Sequence, residues 1–253
     1  MVNEPLSAYP QLALNLGLKD NATFANFHPG ANGAALDHLR KLGAGDTDTS
    51  TSVYLWGAPG AGKSHLLQAL CNAAGARGAA ALYLPLAEAR QFPVEALQGL
   101  ENVALVCIDD VQAIAGQEEW ELGLVHLFER IREAGGVLAA AGRALPANLN
   151  LQPQLASRLN WGLVFQLREL IAADQQHALR LRAEQRGLRL PLDAGRFLVR
   201  HYGGDSHRLF AALDRLDQAS LAAQRKLTVP FIRAVLGTAS SAELGGDQGE
   251  PPS

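Results

Sequence analysis

Apolar and polar positions follow two different rhythms along this chain. Between residues 53 and 167, short continuous apolar runs occur at Val53–Trp56, Ala80–Leu84, Val103–Ile108, Val137–Ala141 and Leu163–Leu167. Runs of this length, apolar at successive positions, predict strands buried on both faces, the pattern of a parallel sheet covered by helices. Helical spacing fills the gaps. Lys63–Ala74 puts Leu66, Leu67 and Leu70 on one face with Gly75 past its end. Glu118–Ala134 spaces Trp120, Leu124, Leu127, Phe128 and Ile131 for a helix stopped by Gly135-Gly136. Ahead of the first strand, Phe24, Phe27 and Pro29 precede a short helix around Ala34–Leu42, and Gly43–Ser52 is a polar loop.

After about residue 171 the strand rhythm stops. Ala172–Arg186, Leu192–His201, Ser206–Gln224 and Val229–Leu236 predict helices, separated by Gly187, Gly203-Gly204 and Thr228–Pro230. The expected fold is therefore α/β, a five-stranded parallel sheet domain over residues 23–170, followed by a small all-α domain over 171–237. Residues 1–22 carry scattered leucines with Pro5, Pro10 and Gly17 and sustain no helical period. Residues 238–253, rich in Ser, Gly, Glu and Pro, read as a disordered tail. No internal repeat is visible.

Composition narrows the partners more than the fold. The 253 residues are 48% apolar and 19% charged, ordinary for a folded chain that buries a core. The formal charge of −3 argues against free DNA as the main partner, because DNA-binding domains carry a basic excess. No apolar run approaches the ~20 residues that span a bilayer. No basic segment leads into a continuous apolar one at the N-terminus, so no secretory signal is expected. Cys71 and Cys107 sit inside apolar stretches and read as buried free thiols, with an oxidised pair as the alternative. The protein is expected to be cytoplasmic, with no membrane association.

The chemistry is concentrated after the first strand. Gly57-Ala58-Pro59-Gly60-Ala61-Gly62-Lys63-Ser64 satisfies G-x-x-x-x-G-K-[ST] in full, with His65 next at the start of the helix. Glycines let such a loop wrap its N–H groups around phosphate oxygens. Lys63 supplies positive charge for the β- and γ-phosphates, Ser64 a hydroxyl for Mg²⁺, and the helix N-terminus a favourable dipole. A chance match in a chain with 25 glycines is the alternative, but an apolar strand before and an amphipathic helix after argue against it. A second element, Leu105-Val106-Cys107-Ile108-Asp109-Asp110, ends a buried strand in two carboxylates. Asp109 would hold the magnesium through water and Asp110 would orient an attacking water. Alone, an acidic pair after a strand is more often a solvated strand end or a helix cap. About 50 residues beyond a phosphate loop, the functional reading prevails.

With these residues in view, the chain resembles the AAA+ ATPase domain of the DnaA family of bacterial replication proteins. It is similar in particular to the short regulatory branch of that family, whose members inactivate the initiator DnaA. The resemblance rests on TFANFHPGANGAAL at 23–36, YLWGAPGAGKSHLLQAL at 54–70 and LVCIDDVQAIAGQEEWE at 105–121. LASRLNWG at 155–162 and LDQASLAAQRKLTVPFI at 216–232 extend it, and these two are specific to this branch. The all-α domain then corresponds to the AAA+ lid. Beyond it only a polar tail follows, too short and too poor in apolar residues for the DNA-binding domain of the initiator, so the reduced plan of the regulatory branch is expected.

The resemblance implies ADP or ATP with Mg²⁺ as cofactors, and DnaA and the DNA polymerase III sliding clamp (its β subunit) as partners. DNA would be met mainly through the clamp, and association with further copies of the chain stays open. Gln11-Leu12-Ala13-Leu14-Asn15-Leu16 is similar to the Q-L-x-L-x-L peptide that docks on the clamp. There, leucines fill an apolar pocket while the Gln amide fixes register. Arg158 matches the family's arginine finger, which reaches the γ-phosphate held by a neighbouring subunit. Without the resemblance it would read as an arginine in a surface salt bridge.

Two positions depart from the family pattern. Ala140-Ala141-Gly142-Arg143 has Gly142 where relatives carry a polar sensor side chain. The lid's G-D-x-R becomes Gly204-Asp205-Ser206-His207, with Arg208 one place later. A one-residue shift turns a helical side chain by about 100°, so His207 or Arg208 could face the phosphates. Both departures suit slow hydrolysis in cis by a protein that holds ADP and acts on another subunit's ATP. The competing reading is a helicase-loader or truncated initiator that hydrolyses ATP itself. Mild acidity and the absence of aromatic-basic clusters disfavour single-stranded DNA binding, and Arg225 and Lys226 are too few to reverse that.

Overall fold

A period of two decides how the strands use their faces. The computed structural model describes residues 22–46, 51–203, 205–223 and 225–240. Its sheet contains β1 (Ser52–Trp56), β2 (Ala81–Pro85), β3 (Leu105–Asp109), β4 (Val137–Gly142) and β5 (Leu163–Gln166) in the order β2-β3-β4-β1-β5. Every neighbouring pair is parallel. Alternate side chains go to opposite faces. Tyr54, Leu82, Leu84, Val106, Ile108, Leu138 and Ala140 join one core, with α4 (Glu118–Glu133) and α5 (Pro153–Leu159) packed on it. Val53, Leu55, Tyr83, Leu105, Cys107, Ala139 and Ala141 join the other, against α1 (Gly33–Ala44) and α2 (Lys63–Ala76). Both cysteines are buried and free.

The expected elements are present, with boundaries moved by local chemistry. α2 runs through Gly75 to Ala76, so Gly75 is not its stop. Gly78, at φ +82°, ends it: its N–H donates to Gly75 O and that of Ala79 to Ala74 O, a Schellman closure. α1 likewise continues through Gly43 and ends at Gly45, so the polar loop begins later than Gly43. β3 starts at Leu105 and includes Asp109, because residues 100–102 form a 3-10 turn instead of extending the strand. Periodicity was blind to α3 (Leu86–Ala89), to α5 and to the 3-10 turns at 94–97, 111–114 and 146–148, all shorter than two helical turns of apolar repeat or nearly so.

The chain divides by contacts between Glu169 and Leu170. The second unit holds α6 (Ala172–Gln185), α7 (Leu192–Tyr202), α8 (Ser206–Ala223) and α9 (Val229–Ser240). Leu179, Leu198, Leu209, Leu213, Leu216 and Ile232 form its own core. Arg186 ties two of its helices together through Asp214 at 2.7 Å and Asp217 at 3.6 Å. Among the described residues no helix is long and apolar enough to cross a membrane.

One buried carboxylate fixes the approach to α5. Glu121, 1% exposed in the first turn of α4, accepts the N–H of Gly116 at 2.7 Å and that of Gln152 at 2.5 Å. Gln152 is the N-cap of α5 and makes no side-chain cap of its own. Glu121 therefore serves as the acceptor that the helix start lacks. Glu121→Ala is expected to lower the free energy of unfolding by about 2–3 kcal/mol, because two partly buried amides lose a charged acceptor. Exposed Glu119→Ala should change it by less than about 0.5 kcal/mol. Urea unfolding of both variants checks this, and equal losses would count against the buried role.

Candidate functional site

β1 ends at Trp56, and the next six residues turn the chain into α2. At Gly57 the backbone passes so close to Leu167 that a Cβ would collide with the Leu167 carbonyl oxygen. Gly62, the N-cap of α2, has φ +95°, and a Cβ there would lie 2.6 Å from the Phe27 ring. Both positions thus require glycine for space and for backbone conformation, Gly57 lying at φ +155°. Within this loop Lys63, 9% exposed, donates from Nζ to Gly57 O at 2.8 Å and Ala58 O at 2.9 Å. Burial lowers the pKa of the ammonium, while Asp109, Asp110 and Glu169 act in the opposite direction. Gly57 through Ser64 form one turn around that charge.

The acidic pair faces the loop from β3. Asp109 is 1% exposed, and its carboxylate accepts the Tyr83 hydroxyl at 2.7 Å and the Asp110 N–H at 2.9 Å. The Ser64 side chain is hydrogen-bonded to it as well. Burial raises the Asp109 pKa, the bonds from Ser64 and Tyr83 lower it, and the neighbouring Asp110 charge raises it. The same burial, and the Asp109 charge, push the Tyr83 phenol up. Asp110 is left-handed, at φ +56° and ψ +46°, a region Asp tolerates better than most residues. Its Oδ1 accepts Gln112 Nε2 at 2.8 Å.

The donors fit a magnesium–phosphate group. Ser64 and Asp109 are already in contact and offer hard oxygen ligands, the type Mg²⁺ prefers alongside water and phosphate oxygens. Among the described residues no group of three or more His, Cys, Asp or Glu gathers to hold a metal by itself.

The other residues singled out in the sequence lie in different surroundings. His65 turns to the Thr23 carbonyl, with Nε2 at 3.0 Å, and its ring lies 5.7 Å from that of Phe27. Arg158, near the end of α5, pairs with Glu129 at 2.5 Å, and its guanidinium lies 5.1 Å from the Trp161 ring centre. Arg132 covers the same indole at 4.3 Å. The Arg158 bond holds the Glu129 carboxyl below its ordinary pKa. Gly142 closes β4, and a Cβ there would overlap the Tyr54 hydroxyl, which donates to Ala144 O at 2.9 Å. His207 and Arg208 belong to the helical unit. They are exposed in the first turn of α8, and both of their N–H groups donate to Asp205 Oδ1, at 2.8 and 3.2 Å. Gln11, Leu12, Leu14, Asn15 and Leu16 lie outside the described residues.

Two contributors were missed at the level of sequence. Asn32 donates from Nδ2 to Arg168 O at 2.9 Å and accepts Arg168 N–H at 2.8 Å, so it fixes the strand exit whose Leu167 carbonyl crowds Gly57. Phe27 walls the loop at Gly62. The Thr23–Asn26 capping box that precedes it was the available signal, since Thr23 and Asn26 satisfy each other's backbone N–H.

A sequence profile of the bacterial DnaA ATPase domain matches residues 18–166, and one of the Hda lid domain matches 172–236. Domain III of the Thermotoga maritima replication initiation protein DnaA is 22% identical with a TM-score of 0.72, over 87% of this chain and 98% of that one. AMPPCP-bound DnaA from Aquifex aeolicus is 20% identical at 0.70, over 90% of this chain and 71% of that one. The Thermotoga maritima RuvB branch migration motor is 13% identical at 0.56, over 80% and 68%. At these identities the structures speak for a shared AAA+ fold alone. The profiles together cover both units, and by them the chain belongs to the bacterial DnaA ATPase-domain family, as an Hda-type, DnaA-related AAA+ protein.

Proposed function

We propose that this protein is a negative regulator of replication initiation. It would bind ADP with Mg²⁺, be tethered to the sliding clamp, and stimulate hydrolysis of DnaA-bound ATP through Arg158. The observation that carries this reading is the pairing of a complete phosphate loop at Gly57–Ser64 with an Hda-type lid at 172–236. The nucleotide analogue bound by the Aquifex aeolicus DnaA supports a nucleotide in the corresponding loop. Here Lys63 would turn its charge to the phosphates, and the amides of Gly60–Ser64 would surround them. Ser64 and Asp109 would hold Mg²⁺, which neutralises phosphate charge when bound. Asp110 would orient water in any hydrolysis by the protein itself. His207 or Arg208 would supply the lid's sensor.

Arg158 enters as a finger supplied to another subunit. Its hold on Glu129 is a partly exposed ion pair, 24% and 35% accessible, screened by solvent and so open to exchange for a phosphate. The guanidinium would exchange that carboxylate for the γ-phosphate of DnaA-bound ATP and stabilise charge as the terminal phosphoryl group is transferred to water. The planar fork suits this exchange better than a lysine.

Four outcomes test the reading. Lys63→Ala should weaken ADP binding about 10- to 100-fold by calorimetry, since hydrogen bonds to charged groups contribute about 1.5–3 kcal/mol. ATP turnover by the wild-type protein at tens per second, inside the ~1–100 s⁻¹ typical of phosphoryl-transfer enzymes, would instead favour a motor or loader. Replacing Gln11 and Leu14 by Ala should abolish binding to purified clamp and leave ADP affinity intact. Unchanged clamp affinity would assign the peptide to another role.

Arg158→Ala should keep the thermal midpoint, ADP affinity and clamp binding. Stimulation of DnaA-ATP hydrolysis on clamp-loaded DNA should fall by ~10³–10⁵, the range for trans arginine fingers. Arg158→Lys should restore little. A fully active Arg158→Ala protein would place the finger elsewhere, and loss of folding with activity would make the Glu129 pair merely structural.

A further inference from the structure

The polar link between the acidic pair and the end of β4 is a side chain that the family resemblance did not single out. Gln112 follows Asp110 by two residues in the 3-10 turn Val111–Ile114. Its Nε2 donates to Asp110 Oδ1 at 2.8 Å, and its Oε1 accepts the Arg143 N–H at 3.1 Å. The two partners fix the amide's orientation: a carboxylate can only accept, and a backbone N–H can only donate. Gln112 thus spans β3 and β4, joining residues 31 apart in the chain.

A second observation explains why a residue on the 3-10 turn makes this link. The last position of β4 is Gly142, and the space a side chain would need there is filled by the Tyr54 hydroxyl, itself committed to Ala144 O. Position 142 can therefore send nothing toward the acids. The adjoining backbone N–H of Arg143 is met instead by Gln112. Asp110, held in the left-handed region, has its carboxylate direction set by this amide and not by its own preferred backbone.

We propose that Gln112 is the positioning residue for Asp110, doing from the 3-10 turn what Gly142 cannot do from β4. The proposal rests on the reading of Asp110 as the group that orients the attacking water. In that step the water oxygen bonds to the γ-phosphorus, and the bond to the β–γ bridging oxygen breaks with its electron pair leaving on ADP. The water proton passes to Asp110 and then to solvent. Gln112 touches none of the reacting atoms. It holds the accepting oxygen pair in line by occupying Oδ1, which leaves Oδ2 for the water.

Single-turnover hydrolysis of ATP preloaded on the full-length protein with Mg²⁺ tests this, read beside ATP affinity and the thermal midpoint. Gln112→Met keeps the length and removes both bonds. Gln112→Glu keeps an acceptor for the Arg143 N–H, removes the donor to Asp110 and sets a second carboxylate against it. Both should slow hydrolysis about 10- to 100-fold, the scale of a misplaced reacting group. ATP affinity should stay within about threefold, well under the factor of 10 that 1.4 kcal/mol represents. Asp110→Asn is the control for the reading beneath. If Asp110→Asn slows hydrolysis and Gln112→Met does not, Gln112 has no positioning role and the proposal falls alone. If Asp110→Asn hydrolyses at the wild-type rate, or the wild type shows no hydrolysis above the protein-free rate, the reading of Asp110 falls and the proposal with it. If Gln112→Met loses ATP affinity and thermal stability in proportion to rate, the side chain is structural and the proposal is overturned.

Discussion

Everything at this site depends on keeping opposite charges near one another with little water. Lys63 and Asp109 are buried, and burial works against the charged form of each, lowering one pKa and raising the other. Their mutual attraction offsets part of that cost, and fixed hydrogen bonds offset more. Lys63 is held by two loop carbonyls, and Asp109 by a phenol, a serine hydroxyl and an amide. A site arranged this way carries a positive charge already partly stripped of solvent, so under the proposed function an arriving phosphate would replace carbonyl contacts instead of competing with bulk water.

The sheet makes that juxtaposition possible. β1 and β3 are not neighbours; β4 lies between them, and all three run parallel. Their C-terminal ends therefore emerge on the same edge, where Gly57 leaves β1 and Asp109 ends β3. Parallel order also sends Gly142 to that edge, between the loop and the acids. With no side chain there, the gap is closed by Tyr54 from β1 and bridged by Gln112 from beyond β3.

A second set of carboxylates, on α4, organises the helix that carries Arg158. Glu121 takes the amide at the start of α5, and Glu129, eight residues later on the same helix, takes the guanidinium near its end. The two differ in character. Glu121 is sealed from solvent and binds backbone, so it fixes where α5 begins; Glu129 is partly exposed and binds a side chain, a pair that solvent screens. Trp161 is covered by both Arg132 and Arg158, which adds a cation–π contact to the Glu129 pair.

Much of this was legible in the chain itself. Continuous apolar runs named the five strands, although the edge strand β5 is exposed or half-buried throughout and only the other four bury most of their side chains; G-x-x-x-x-G-K-S named the loop, whose glycines let backbone amides turn inward. The acidic pair was legible for the same reason, a charge at the end of a wholly apolar strand. What the sequence could not determine depended on partners far away in the chain. Gly75 and Gly78 are both plausible stops for α2, and only the hydrogen bonds to Ala74 and Gly75 choose the second. Asn32 and Arg168 are 136 residues apart, and Gln112 and Arg143 are 31 apart, so neither pair has any local signature. Arg158 was identified by motif, but its grip on Glu129 and its place over Trp161 required α4 and α5 to pack. Local pattern fixes which residues can turn, bury or bind; which of them meet is decided by the long-range packing that brings β1, β3 and β4 to one edge.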